Sequence, residues 1–166
     1  MPDQPDIRDI LRALAERKAR VVVVGGVAMQ LQGSSYSTQD IDFAYERTRE
    51  NATRVANALA SFDPRPRDFS DDLPFVFDEQ TLIAHEVLTL RTTAGDVDLL
   101  GAIKGIGGYR DVEALAETFR FEHYEVRVLS IDGLIQAKRA AGRPKDEAGL
   151  VELEAIREAR TIFRGD

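Results

Sequence analysis

Four consecutive valines, Val21 to Val24, run directly into Gly25-Gly26, and about a dozen residues later comes Asp40-Ile41-Asp42-Phe43. This stretch constrains the fold more than any other. A β-branched run suits a strand covered on both faces. The glycine pair lets the chain turn sharply and brings the backbone close to a ligand with no Cβ in the way. Val27 to Leu31 then reads as a short helix whose free N–H groups face an anion such as phosphate. Asp40 and Asp42 alternate with apolar residues, so on a strand both carboxylates share one face. Like charges so placed repel unless a cation lies between them, and a hard divalent ion such as Mg²⁺ suits oxygen donors.

The rest of the chain supplies alternating helices and strands. Ile7, Ile10, Leu11 and Leu14 recur at helical spacing, which predicts an amphipathic helix over residues 6–18. A second packing helix is expected over 51–62, then a proline-rich loop from Asp63 to Pro74. Phe75 to Phe77 reads as a short strand, with Asp78 capping a helix through Ala84. Val87 to Thr92 and Asp96 to Leu100 flank the turn Thr93-Ala94-Gly95 and predict an antiparallel hairpin. That hairpin, joined to the first sheet, would bring Asp98 beside Asp40 and Asp42. Asp96 shares a face with Asp98 and stays open as an alternative, although Gly95 beside it suggests a turn. Residues 101–108 read as irregular, 109–116 as helical, and 119–129 as one bent strand or a hairpin. A helix from Ile131 ends at Gly142. A last helix from Glu147 to Phe163 is expected to bury Leu150, Leu153, Ile156 and Ile162.

Aspartate is disfavoured inside strands, yet Asp40, Asp42 and Asp98 all sit among Ile, Phe, Val and Leu. The ordered set of a Gly-Gly pair, Asp40-Ile41-Asp42-Phe43 and Val97-Asp98-Leu99 resembles the signature of the nucleotidyltransferase superfamily, the DNA polymerase β-like proteins. The resemblance covers roughly the first hundred residues. It implies an α/β (α+β) fold: a short mixed sheet flanked by helices, with a nucleotidyltransferase core over 1–129 and a C-terminal helical pair over 130–166 of the same domain.

It also implies an activity, the metal-dependent transfer of a nucleoside monophosphate from an NTP to an acceptor hydroxyl with release of pyrophosphate. Asp40 and Asp42 would bind the Mg²⁺ or Mn²⁺ ion that carries the nucleotide phosphates. With Asp98 they would hold a second metal that activates the acceptor, and Asp98 would serve as general base. Two metals roughly 3.5–4 Å apart stabilise both attacking and leaving oxygens. Gly25, Gly26 and Ser34 would hold the β- and γ-phosphates.

Leu134-Ile135-Gln136-Ala137-Lys138 and Gly142-Arg143-Pro144-Lys145-Asp146 resemble a later motif of the abortive-infection type toxins in that superfamily. This implies that Lys138 contacts phosphate and that Lys145 and Asp146 support it. It also makes a tRNA acceptor and a cognate antitoxin or toxin partner expectations, beside a protein or small-molecule acceptor. Those relatives often carry arginine where this chain has Tyr36. The alternative is a nucleotidyltransferase-fold protein that no longer catalyses and acts as a binding or antitoxin partner.

Composition narrows the remaining choices. The chain of 166 residues has 43% hydrophobic residues, enough for one ordinary core. It has no cysteine and only two histidines, so disulfides, thiolate zinc sites and histidine-rich metal sites are excluded. The net charge of −7 argues against a broad nucleic-acid footprint, though a local basic patch would hold an RNA end or a triphosphate. The opening residues Met1-Pro2-Asp3-Gln4-Pro5-Asp6 carry no basic region or apolar segment, so a cytoplasmic protein is expected.

Overall fold

The structure is a computed structural model that describes residues 4–164. Met1 to Asp3, part of the opening stretch read above, lie outside the described residues. Helix α1 spans Ile7–Glu16 and is capped by Asp6, whose carboxylate accepts from the Arg8 backbone, while Asp9 accepts from the Asp6 N–H. Strand β1 (Val21–Val24) follows, then α2 (Gly25–Leu31) and β2 (Ile41–Tyr45). Next come α3 (Arg49–Leu59) with a 3₁₀ turn at Ala60–Phe62, β3 (Arg65–Pro66) and α4 (Glu79–Ala84). Strands β4 (Val87–Thr92) and β5 (Gly95–Leu100) form the expected hairpin. Short strands β6 (Ala102–Ile103) and β7 (Gly107–Gly108) pair with each other, then come α5 (Tyr109–Ala114), β8 (Ala116–Phe121), β9 (Tyr124–Leu129) and α6 (Ile131–Ala141). A 3₁₀ turn at Pro144–Asp146 leads into α7 (Glu147–Phe163).

Among the described residues, seven strands form one mixed sheet in the order β3-β4-β5-β2-β1-β9-β8. β1 runs antiparallel to β2, and β2 runs parallel to β5. The valine run is explained by position: Val22 and Val23 point to opposite faces, and both are fully buried. Ile41, Phe43 and Tyr45 alternate onto one face of β2 and are fully buried there. The Tyr45 hydroxyl bonds the carbonyls of Leu82 (2.9 Å) and His85 (2.8 Å), which ties α4 to this face. Asn51, also buried, accepts from the Arg20 N–H (2.6 Å) and donates to the Arg20 and Glu46 carbonyls, satisfying the chain between α1 and β1.

Three expectations change. Phe75 to Phe77 form no strand, because β3, not this segment, pairs with the outer edge of β4. Residues 101–108 are not wholly irregular, since β6 and β7 form a small hairpin there. In α7 only Leu153 is fully enclosed, Leu150 and Ile156 are partly covered, and Ile162 is 68% exposed because the helix end runs past the body it packs on. Among the described residues, no helix is long and apolar enough to cross a membrane.

Candidate active site

Register builds the site. Val24 pairs with Asp42 across β1 and β2, Asp42 with Asp98 across β2 and β5, and Asp98 with Thr89 across β5 and β4. Register partners project to the same side of a sheet, so the two carboxylates stand side by side in its middle. Asp40 sits one residue before β2 at an exposed position and adds negative charge near Asp42. Burial pushes the Asp42 carboxyl up to about 7, and the Asp98 charge, a hydrogen bond with Asp98 and the Asp40 charge push the same way. A positive charge delivered beside Asp42 relieves that repulsion.

The glycine pair shapes the same corner. Gly25 has φ +66°, and a Cβ there would collide with Asp42 Oδ2. The first residue of α2 therefore lies directly against the carboxylate. A Cβ on Gly26 would lie 2.6 Å from Tyr36 Cε1 and 2.9 Å from Thr38 Cγ2, so the loop after α2 folds back over the helix start. That loop is held from α7. Glu152 accepts from the Ser34 hydroxyl, from the Ser35 N–H (3.0 Å) and from the Ser35 hydroxyl (2.6 Å). These hydroxyl bonds hold the Glu152 carboxyl below its ordinary range.

A cavity of about 240 Å³ opens beside Asp42. Val24, Gly25, Met29, Leu100 and Ile103 are among the residues that line it. Its charged lining is one carboxylate, Asp42, and three cations, Lys104, Lys138 and Arg143. Lys138 Nζ lies 3.1 Å from Asp146 Oδ1, and Arg143 Nε lies 2.7 Å from Asp146 Oδ2. Burial works to raise the Asp146 carboxyl, but the hydrogen bonds from Arg143 and Lys138 outweigh it and keep the group ionised below its ordinary range. Lys145 is exposed and does not line the cavity.

Of the residues singled out in sequence, Asp42, Gly25 and Lys138 thus line one cavity, with Asp98 in register beside it and Asp146 behind Lys138. Ser34 faces Glu152. Four side chains were missed: Lys104, Arg143, Glu152 and Arg67. The Arg67 guanidinium bonds Asp98 through Nη2, and its Nε lies 3.5 Å from Asp96 Oδ2. Only the basic run at 138–145 carried a signal for one of them, Arg143. The donors Asp42 and Asp98 are hard oxygens suited to Mg²⁺ or Mn²⁺. Among the described residues, no group of three or more His, Cys, Asp or Glu side chains is gathered around one point, and the cation now beside Asp98 is Arg67.

No family model matches the sequence, and no characterised protein matches it in sequence. Solved structures do match it in shape. A candidate nucleotidyltransferase from Thermotoga maritima superposes with a TM-score of 0.57 and 20% identity, over 88% of each chain. ANT(2")-Ia, solved in complex with adenylyl-2"-tobramycin, superposes with a TM-score of 0.55 and 16% identity, over 96% of this chain and 95% of that one. The chain has the nucleotidyltransferase fold. The likeness read from Gly25-Gly26, Asp40-Ile41-Asp42-Phe43 and Val97-Asp98-Leu99 therefore holds for the architecture. The shared shape is the mixed sheet flanked by helices.

Proposed function

We propose that this protein transfers a nucleoside monophosphate from an NTP to an acceptor hydroxyl, with release of pyrophosphate. One observation carries the proposal: Asp42, in register with Asp98 on the neighbouring strand, lines a cavity whose other charged residues are Lys104, Lys138 and Arg143. A polyphosphate is anionic along its length and reaches such enzymes with a divalent cation. The carboxylates suit the cation, and the three basic side chains suit the phosphate oxygens.

In this proposal Asp42, Asp98 and Asp40 would hold Mg²⁺ or Mn²⁺, which when bound would supply positive charge to the phosphate oxygens and the acceptor oxygen. Gly25 gives the phosphates close backbone access, and the start of α2 presents its free N–H groups beside it. Lys138 binds phosphate as a point charge, and Asp146 keeps its head from swinging into solvent. Asp98 takes the acceptor's proton. Ser34 and Glu152 hold the loop that covers Gly26, and Lys145 supports the turn that carries Asp146.

A small-molecule hydroxyl is the first acceptor to test. The match to ANT(2")-Ia, solved with adenylyl-2"-tobramycin, extends over nearly the whole of both chains. A net charge of −7 favours a cationic acceptor over an RNA. A second reading, a partner protein that binds nucleotide without transferring it, draws on Arg67, whose guanidinium occupies Asp98.

Calorimetric titration of each NTP, with and without Mg²⁺, on the wild type and on Asp40→Ala/Asp42→Ala tests the site. Metal-dependent binding lost in the variant is expected. Labelled NTP with a panel of cationic polyols, proteins and tRNA then identifies the acceptor. Absence of NTP binding in both proteins would overturn the proposal.

A further inference from the structure

The guanidinium on Asp98 follows from the fold as closely as the aspartates do. Arg65 pairs with Arg91 and Pro66 with Leu90, and the Arg67 N–H continues this ladder by donating to the Thr89 carbonyl (3.1 Å). Arg67, Thr89, Asp98 and Asp42 therefore form one row across four neighbouring lanes of the sheet, on one face. From its lane Arg67 must cross about two strand spacings, roughly 10 Å, and few side chains other than arginine span that distance with a charge at the far end.

Where it arrives, the arginine is shared unequally. Nη2 donates to Asp98 Oδ1. Nε lies 3.5 Å from Asp96 Oδ2 without a hydrogen bond, and it is a buried donor with no partner. A buried N–H without an acceptor is unfavourable. Asp96 and Asp98 are two residues apart on β5 and share a face, so a small shift of the guanidinium toward Asp96 satisfies Nε and releases Asp98. The backbone allows such a shift: Arg67 directly follows β3, a two-residue edge strand, and opens the loop that runs to Asp78.

We propose that Arg67 is a resident counter-cation of the carboxylate pair, which occupies Asp98 when no divalent cation is bound and is handed to Asp96 when one enters. Asp96 is then a positioning residue that parks the arginine, rather than a metal ligand or a turn residue. The device sets a threshold for metal loading and keeps Asp42 and Asp98 from facing each other without a counter-charge. It rests on the proposal that the pair holds a divalent cation.

Mn²⁺ binding to the full chain without nucleotide, followed by electron paramagnetic resonance, tests this. The proteins are the wild type, Asp42→Asn, Arg67→Gln, Asp96→Asn and Arg67→Gln/Asp96→Asn, each checked for folding by circular dichroism. Arg67→Gln is expected to bind Mn²⁺ about tenfold more tightly, as loss of one competing ion pair implies. Asp96→Asn is expected to bind several-fold more weakly, because the arginine loses its alternative partner. In the Arg67→Gln background that loss should shrink to the small effect of one fewer nearby charge, and this non-additivity is the signature of the exchange. Should Arg67→Gln not fold, Arg67→Lys carries the test, since a shorter point charge competes less and should tighten Mn²⁺ binding by a smaller factor. Wild-type binding that needs Asp42 but is unchanged or weakened in Arg67→Gln would overturn the arginine's role and leave the metal site standing. No Mn²⁺ binding by any of the proteins would remove the metal site and this role together.

Discussion

Asp42 and Asp98 are register partners on adjacent parallel strands, and the two carboxylates rise from the same face at the centre of the sheet. A fold does not place like charges there for stability. Burial and the Asp98 charge raise Asp42 from 3.8 to about 7, and this shift has a sign that can be measured. Below about pH 3 the group is neutral in both folded and unfolded chains and has no effect. Between pH 4 and pH 7 the unfolded chain ionises while the folded one resists, so stability falls as pH rises.

Asp42→Asn is therefore expected to stabilise the protein at pH 8 by on the order of 2–4 kcal/mol, and to leave it unchanged at about pH 3. Denaturant unfolding at the two pH values checks this. Millimolar Mg²⁺ should raise the melting temperature of the wild type at pH 8 and leave that of Asp42→Asn unmoved. An equal stabilisation at both pH values would show that Asp42 is not held against its charge.

The glycine pair should separate into two effects. Gly25→Ala puts a Cβ onto Asp42 Oδ2 at a positive φ, so about 1–3 kcal/mol of stability should be lost along with NTP binding. Gly26→Ala meets first the Tyr36 ring edge and the Thr38 methyl. Its loss of NTP affinity should be largely restored in Gly26→Ala/Tyr36→Ala, where the obstructing ring is gone. Calorimetry and melting curves on the three variants decide the matter; no rescue would mean that Gly26 serves the ligand directly rather than the loop.

Local pattern carried much of this into the sequence. Val21 to Val24, the Gly pair and the alternation around Asp42 and Asp98 each announce an element, and a hairpin at Thr93 to Gly95 is written in its turn residues. The pairing of Asp42 with Asp98 also needed β5 to join β2, which the sequence offered only as a topology. Arg67 was illegible because its meaning lies in lateral register: it is one arginine in a charged loop until β3 is laid against β4. Glu152 was hidden for the same reason, being one of several acidic residues on α7 until α7 packs beside Ser34 and Ser35. Ile162 misled because helical spacing marks a face and does not say where the surface beneath that face ends.

Glu152 reaches the loop through bonds that join residues more than a hundred positions apart. Glu152→Ala should leave the melting temperature nearly unchanged, because two of these bonds are exposed and the one to Ser34 is only partly buried. Amide exchange over residues 34–39 should quicken several-fold, and NTP affinity should fall with it. Exchange rates equal to those of the wild type would mean that the loop is held by Gly26 and Tyr36 alone.

Lys138 and Asp146 should divide binding from stability. Lys138 lines the cavity and is 18% exposed, whereas Asp146 is 9% exposed and also accepts from Arg143. Lys138→Met leaves Asp146 paired with Arg143, so stability should change by less than about 1 kcal/mol while NTP affinity drops about tenfold or more. Asp146→Ala removes the acceptor of both cations, and about 1–3 kcal/mol should be lost. Because the Asp146 carboxyl is held below its ordinary value, its contribution is present above about pH 4 and fades as pH falls through the folded value. The stability gap between wild type and Asp146→Ala should therefore close on acidification, as the Asp42→Asn gap does but from the other side: one variant loses its deficit in acid, the other its advantage. Unfolding curves for both variants across pH 3–8, with nucleotide titrations at pH 8, would show whether Asp42 is held against its charge and Asp146 in favour of it, and a large stability loss in Lys138→Met would place that lysine in the scaffold instead of the binding site.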